Sequence, residues 1–295
     1  MDPADYCDRP TPLTFLGLLR IAGPEAVAFL QGQVTHDTRL LADGRTLLAA
    51  CNTPQGRVLA LPRLRQHGDA VYALLPADLV EPLAARLRRF VLRAKVRLEP
   101  ALDLVALAQP AGTAQSEPAA AGDPEGFLFD YAPGRRVLVQ PRDGSSRAVP
   151  DAPDRSGDIE NAWWCADIAA GLPQVLAASA EAFVPQMLNL DLLDAISFTK
   201  GCYTGQEIVA RTQHLGRIKR RTARFRLAAG PALPPLAALL LDGGRVAEVV
   251  MSAPCGEGVE LLAVANLQAW GRTLVTEDGR EAVPLALPYE VPAAD

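Results

Sequence analysis

The run Lys200-Gly201-Cys202-Tyr203-Thr204-Gly205-Gln206-Glu207-Ile208-Val209-Ala210-Arg211 places a thiol, an ammonium, a phenol, a carboxylate and a guanidinium on one short segment. Thr204 and Glu207 have the spacing of a capping box, in which each side chain bonds the other residue's backbone N–H, and Ile208 and Val209 then open an apolar stripe. The spacing predicts a helix from here to about Leu215, with Gly216 as its left-handed stop. Cys202 stands two residues ahead of the cap. There, the positive end of the helix and the Lys200 ammonium make the electropositive surroundings in which a thiol becomes reactive. Gly201 and Gly205 let the backbone turn sharply and come close to a ligand. A cysteine is often a buried small hydrophobe instead, but the Lys, Gly, Tyr and Thr around this one favour a loop thiol.

Around the predicted helix, Ile208, Val209, Thr212 and Leu215 share one side, while Glu207, Arg211 and His214 form a polar ridge. A nucleophilic enzyme needs a base beside its thiol. Only His36, His67 and His214 are available, and their spacing singles out no partner. The five cysteines, at 7, 51, 165, 202 and 255, are odd in number and never spaced as CxxC, which fits neither a disulfide framework nor a structural zinc site. An iron–sulfur cluster takes about four thiolates, so the chain is expected to share a cluster at most, and no metal ligand set is assigned. Two basic clusters stand out, Arg86 to Arg97 and Arg217 to Arg226. The second, which follows the helix directly, reads as a solvated face or as a landing site for a carboxylate or an RNA phosphate.

Several elements must carry that segment. Gly23-Pro24-Glu25 reads as a helix start, with Gly32 its end. LLAAC and RVLALPRL read as strands joined by a turn over Asn52-Thr53-Pro54-Gln55-Gly56, and a second turn at His67-Gly68-Asp69 leads to AVYALLP. A helix is expected from about Asp78 to Leu92, then a strand in KVRLEP. This order predicts an α+β sheet with helices on one face. Residues 109–126, rich in Ala, Pro and Gly, read as an exposed loop. From Asp158 to Gly216 the pattern turns helical, interrupted at Gly171-Leu172-Pro173. After the linker-like GPALPPL, turns at Asp242-Gly243-Gly244 and Glu277-Asp278-Gly279 divide β-rich runs into a small all-β domain. The expected division is 1–225, with halves 1–108 and 127–225, followed by 226–295.

Of the 295 residues, 49% are hydrophobic and 21% charged, the composition of a globular chain. A net charge of −5 argues against a surface that coats nucleic acid or anionic membrane unselectively. The N-terminal MDPADYCDRP lacks the order of a secretory signal, and no apolar run approaches the about 20 residues that span a bilayer. A cytoplasmic location without membrane contact is expected.

KGCYTGQEIVAR strongly resembles the signature of the YgfZ branch of the folate-binding YgfZ/GcvT family. FLQGQVTHDT, NTPQGRVLA, FVLRAKVRLE, AGLP and FVPQMLNLDLLDAISF agree in order, so the resemblance covers most of residues 15–225. It implies a ring of subdomains with antiparallel sheets and helices, GcvT-like, plus a C-terminal barrel-like domain. It further implies tetrahydrofolate or a derivative as cofactor, with Cys202 as the functional thiol and Lys200, Tyr203, Gln206, Glu207 and Arg211 as cofactor-binding positions. The implied role is that of an accessory protein supporting iron–sulfur enzymes, such as those that thiolate tRNA, with local tRNA contact through Arg217–Arg226. The alternative is a folate-dependent aminomethyl transferase or demethylase. Against it, the Gly56–Leu61 stretch lacks the acid of the aminomethyltransferase branch, the TGYTGE-type segment is missing, and Asp167 replaces an expected Arg.

Overall fold

The computed structural model describes residues 10–109, 126–142, 156–214 and 218–292. In chain order its elements begin with β1 (Thr11–Pro12), β2 (Leu16–Ala22), α1 (Ala26–Gln31), β3 (Leu47–Leu48), β4 (Cys51–Asn52), β5 (Val58–Ala60), β6 (Arg63–His67) and β7 (Ala70–Pro76). Next come α2 (Val80–Arg88), β8 (Arg97–Pro100), β9 (Leu104–Ala108), β10 (Phe127–Ala132), β11 (Arg135–Pro141), α3 (Ser156–Ala169) and α4 (Gln206–His214). The chain finishes with β12 (Arg220–Leu227), β13 (Ala238–Leu241), β14 (Gly244–Cys255), β15 (Gly258–Asn266), β16 (Leu274–Thr276) and β17 (Glu281–Leu285). The class is α+β with antiparallel sheets, as expected.

Two compact units are present. One is Met1–Cys51 with Ala60–Glu160 and Thr199–Tyr203; the other is Asn52–Leu59 with Asn161–Phe198 and Thr204–Asp295.

In the first unit, five strands pair in the order β3-β6-β7-β2-β8. The hairpin expected at His67-Gly68-Asp69 is there, joining β6 to β7 from Arg63 opposite Leu74 to His67 opposite Ala70. The expected run RVLALPRL is broken into β5 and β6. Pro62 stands at the break, where a residue without an N–H cannot continue a ladder. Leu19 and Ile21 of β2 are fully buried, in a strand paired on both sides. α1 ends at Gly32, as its start and stop signals indicate. α2 packs on β2 and β8 through buried Leu83 and Leu87, but is shorter than expected.

A second sheet in this unit, β1-β9-β11-β10, meets the first through aromatic and cationic contacts. The His67 ring stacks on Phe127 at 4.5 Å, and the buried Arg63 donates from Nε to the Tyr131 carbonyl at 2.9 Å. Residues 110–125, most of the expected loop, lie outside the described residues.

The second unit contains a closed antiparallel barrel, β12-β15-β14-β13-β16-β17. Phe225, Leu239, Val249 and Leu261 fill it. Its first strand is Arg220–Leu227, upstream of the GPALPPL stretch. The turn at Asp242-Gly243 has φ of 52° and 80°, the pair of positive values that a tight hairpin demands. The helical pattern expected from Asp158 onward does not persist. Between α3 and α4 only short 3-10 turns form, at Ala177–Ser179 and Pro185–Leu188.

One expectation is overturned in this unit. Cys165 of α3 and Cys255 at the end of β14 form a disulfide, with Cα atoms 5.7 Å apart and a sequence separation of 90. An odd, scattered cysteine set conceals such a pair, because topology rather than spacing brings the two together.

Among the described residues, no helix is long and apolar enough to cross a membrane.

Candidate functional site

Lys200 is buried, and its Nζ donates to the carbonyls of Gln31 at 2.7 Å, Val34 at 2.7 Å and His36 at 2.8 Å. An ammonium has three N–H groups, so all of its donors are engaged by α1 and the chain that follows it. Burial lowers its pKa to about 8, with the Asp37 carboxylate opposing that shift. Its Nζ also stands 5.1 Å from the centre of the Tyr203 ring. Tyr203 is buried too, and loss of hydration raises its phenol to about 12. Two buried anchors therefore flank Gly201 and Cys202, both exposed. The exposed thiol lies between these two anchors in sequence.

The other described cysteines contrast with it. Cys51 is buried and its thiol is pushed up to about 12 by desolvation. Cys165 and Cys255 are bonded to each other, and Cys7 lies outside the described residues. Cys202 is the exposed free thiol among those described.

The division between the units falls inside the motif, between Tyr203 and Thr204. Lys200, Cys202 and Tyr203 belong to the first, and Gln206, Glu207 and Arg211 to the second. In the second unit, α4 begins at Gln206. Val209 is buried and its carbonyl accepts from Gln186 Nε2 at 2.7 Å. Gln206 is half-buried, while Glu207, Arg211 and His214 are exposed, the polar ridge expected from helical spacing. The expected helix end at Leu215-Gly216 lies outside the described residues.

Two stretches far apart in sequence meet at this helix start. The turn closed by the Thr53 N–H on the Arg57 carbonyl, as read from Asn52 to Gly56, is present. It presses against Gly205. A Cβ on Gly205 would stand 2.5 Å from the Thr53 carbonyl oxygen and 3.0 Å from Gly56 Cα, and one on Gly56 would stand 2.8 Å from Ile208. Gly56 and Gly205 have φ of 71° and 81°. Glycine meets both demands, positive φ and close backbone approach.

Asn52 lies in the same contact, its Cβ 3.2 Å from where a Cβ on Gly205 would be. It is 1% exposed, and neither Nδ2 nor Oδ1 has a hydrogen-bond partner in the protein. Such groups are rare because each forfeits hydration, at a cost of about 1–3 kcal/mol by mutational measures. Sequence reasoning treated Asn52 only as a turn residue. The signal that could have found it is the apolar run Leu47–Cys51 leading directly into an amide.

Much of the second basic cluster is taken up by the fold. Arg221 makes a two-point pair with Asp191, at 2.9 and 2.8 Å, both side chains buried. Arg220 pairs with Glu248 and Arg224 with Glu260. Lys219 and Arg226 stay exposed, and Arg217 lies outside the described residues. Asp167 is fully buried and accepts from Gln174 Nε2 at 3.1 Å.

No family model matches the chain. The tRNA-modifying protein YgfZ of Hamiltonella defensa subsp. Acyrthosiphon pisum (strain 5AT) is 29% identical over 281 residues, covering 89% of this chain and 81% of that protein. The tRNA-modifying protein YgfZ of Klebsiella pneumoniae (strain 342) is 31% identical, covering 71% and 70%. That of Yersinia pestis (strain Pestoides F) is 33% identical, covering 71% and 69%. Among solved structures, the glycine cleavage system aminomethyltransferase T from Bartonella henselae matches with a TM-score of 0.72 over 97% of this chain and 87% of that one. At 16% identity that likeness shows a shared GcvT-like fold and nothing about chemistry. Identity above 30% across more than two thirds of the Klebsiella and Yersinia proteins, together with this fold, shows that the chain belongs to the YgfZ family.

Proposed function

We propose that this chain is a cytoplasmic, folate-binding accessory protein that supports tRNA modification, thiolation included, by acting on iron–sulfur enzymes through the Cys202 thiol. The observation that carries this reading is the exposed sulfur held between two buried anchors, Lys200 and Tyr203. The names of the YgfZ relatives support the tRNA role.

Tetrahydrofolate suits the residues of the second unit. The orphaned Asn52 amide, on the turn that packs against Gly205, offers a donor and an acceptor. Gln206 and Glu207 can bond the amino and amide groups of a pterin, and Arg211 can hold the glutamate tail through a charge-assisted fork. Lys200, whose donors are engaged by carbonyls, contributes by fixing the loop, and Tyr203 by packing beneath it. When bound, the folate supplies a one-carbon carrier. The protein's own part is to orient it and to keep Cys202 available as a transient ligand for a client's cluster. In a reducing compartment, Cys165 and Cys255 would exchange between bonded and free forms. Any tRNA contact through the Arg217–Arg226 run would fall to its exposed cations, Lys219 and Arg226.

Calorimetric titration with tetrahydrofolate tests the reading. Saturable binding at micromolar concentration, weakened about tenfold in Arg211→Ala, is expected; absence of binding by the wild-type protein would refute it. The transferase alternative receives no support from the fold likeness, and turnover of methylene-tetrahydrofolate by purified protein would revive it.

A further inference from the structure

We infer that Asn52 determines ligand specificity by pairing with a lactam edge, the adjacent N–H and C=O of a pyrimidinone ring. This rests on the folate reading and names the residue that would recognise the pterin. The argument starts from an imbalance in the protein alone. Asn52 is 1% exposed, and both ends of its amide lack a partner. A leucine of nearly the same size would avoid that loss of hydration, so stability does not explain the residue.

Position adds to the case. Asn52 opens the turn whose Thr53 carbonyl and Gly56 Cα sit directly against Gly205, at the start of α4. Any side chain at Gly205 would press on Asn52 Cβ. The close backbone approach fixes the turn, and with it the position of the buried amide. Gln186 of the same unit has its amide nitrogen satisfied, donating to the Val209 carbonyl at 2.7 Å, while its Oε1 has no partner. Asn52 makes no such bond.

A planar amide with one acceptor and one donor matches an edge that offers one donor and one acceptor in reverse order. The lactam of a pterin has that order: Oδ1 accepts from the ring N–H and Nδ2 donates to the ring carbonyl. A site built to hydrogen-bond such an edge rejects analogues lacking it strongly, because its buried polar groups are then left unpaired.

Two measurements decide the matter. The first compares Asn52→Leu with wild type in thermal melting without ligand and in tetrahydrofolate affinity. A melting temperature equal to or above wild type, with affinity reduced at least tenfold, is expected. The second keeps the wild-type protein and replaces the pterin by its 4-deoxo analogue, which has neither the ring carbonyl nor the adjacent N–H. Binding weakened at least tenfold is expected, and this readout does not depend on how any variant folds. Equal affinity of wild type and Asn52→Leu for tetrahydrofolate, or equal affinity of wild type for the two ligands, overturns the inference while leaving folate binding intact. A lower melting temperature for Asn52→Leu with unchanged affinity also overturns it, by assigning the amide a structural role. Failure of wild type to bind either compound overturns the folate reading and this inference together.

Discussion

The Thr53 carbonyl oxygen lies 2.5 Å from the point a Cβ on Gly205 would occupy, so the start of α4 and the Asn52–Gly56 turn touch backbone to backbone. Gly205 also has φ of 81°. Gly205→Ala therefore meets backbone strain and a rigid clash at once, and a loss of about 2–4 kcal/mol is expected from these named mechanisms. A Cβ at Gly201 would meet open space, and the φ of that residue is not positive. Gly201→Ala should stay within about 0.5 kcal/mol of wild type. Urea unfolding of the two variants checks the contrast.

Removing the Lys200 ammonium leaves three buried carbonyls facing an apolar tip. Lys200→Met is expected to lose about 2–4 kcal/mol, within the range seen when a buried charged partner is deleted. Lys200→Arg should not rescue it, because a planar fork cannot reproduce one compact charge shared by the Gln31, Val34 and His36 oxygens. Denaturant midpoints for both variants supply the comparison.

The Asp191–Arg221 pair is buried on both sides, with side-chain exposures of 6% and 4%. Asp191→Ala strands a guanidinium next to β12, and a loss of about 3–5 kcal/mol is expected. Arg224→Ala, in the more exposed pair with Glu260, should lose less. Thermal melts of the two single variants rank them.

The Cys165–Cys255 bond closes a loop of 90 residues in sequence separation. Chain-entropy arguments give such a crosslink about 4.6 kcal/mol. Dithiothreitol, or Cys165→Ala, should lower the melting temperature of the folded protein by several degrees. Peptide mapping after alkylation should show Cys202 modified before and after reduction, and Cys165 and Cys255 only after it.

Burial, with the Arg65 charge adding to it, lowers the His67 pKa below its ordinary 6.5. As pH falls through 6.5, the unfolded chain takes up the proton first, so the contribution of neutral His67 is complete above that value and is lost below it. Unfolding free energy measured at pH 7.5 and 5.5 should fall on acidification, and the fall should be smaller in His67→Phe, which keeps a ring against Phe127.

The helix that follows Gly205 was legible because glycine placement and apolar spacing are local signals. So were the hairpins at Gly68 and Gly243, where positive φ selects the residue. The direction of Lys200 was not legible. Its acceptors belong to residues more than 160 positions earlier, and nothing in KGC indicates them. The basic run after His214 misleads for the same reason: the carboxylates that engage Arg220, Arg221 and Arg224 come from Glu248, Asp191 and Glu260. Asn52 and the disulfide likewise became visible only when the fold brought distant segments together.

The most direct test of the Cys202 role is complementation of a strain lacking this protein, with thiolated tRNA measured by mass spectrometry. Cys202→Ala, expressed at wild-type level and with an unchanged melting temperature, is expected to leave thiolation at the level of the empty vector. Full restoration of thiolated tRNA by that variant would contradict a functional role for the exposed thiol.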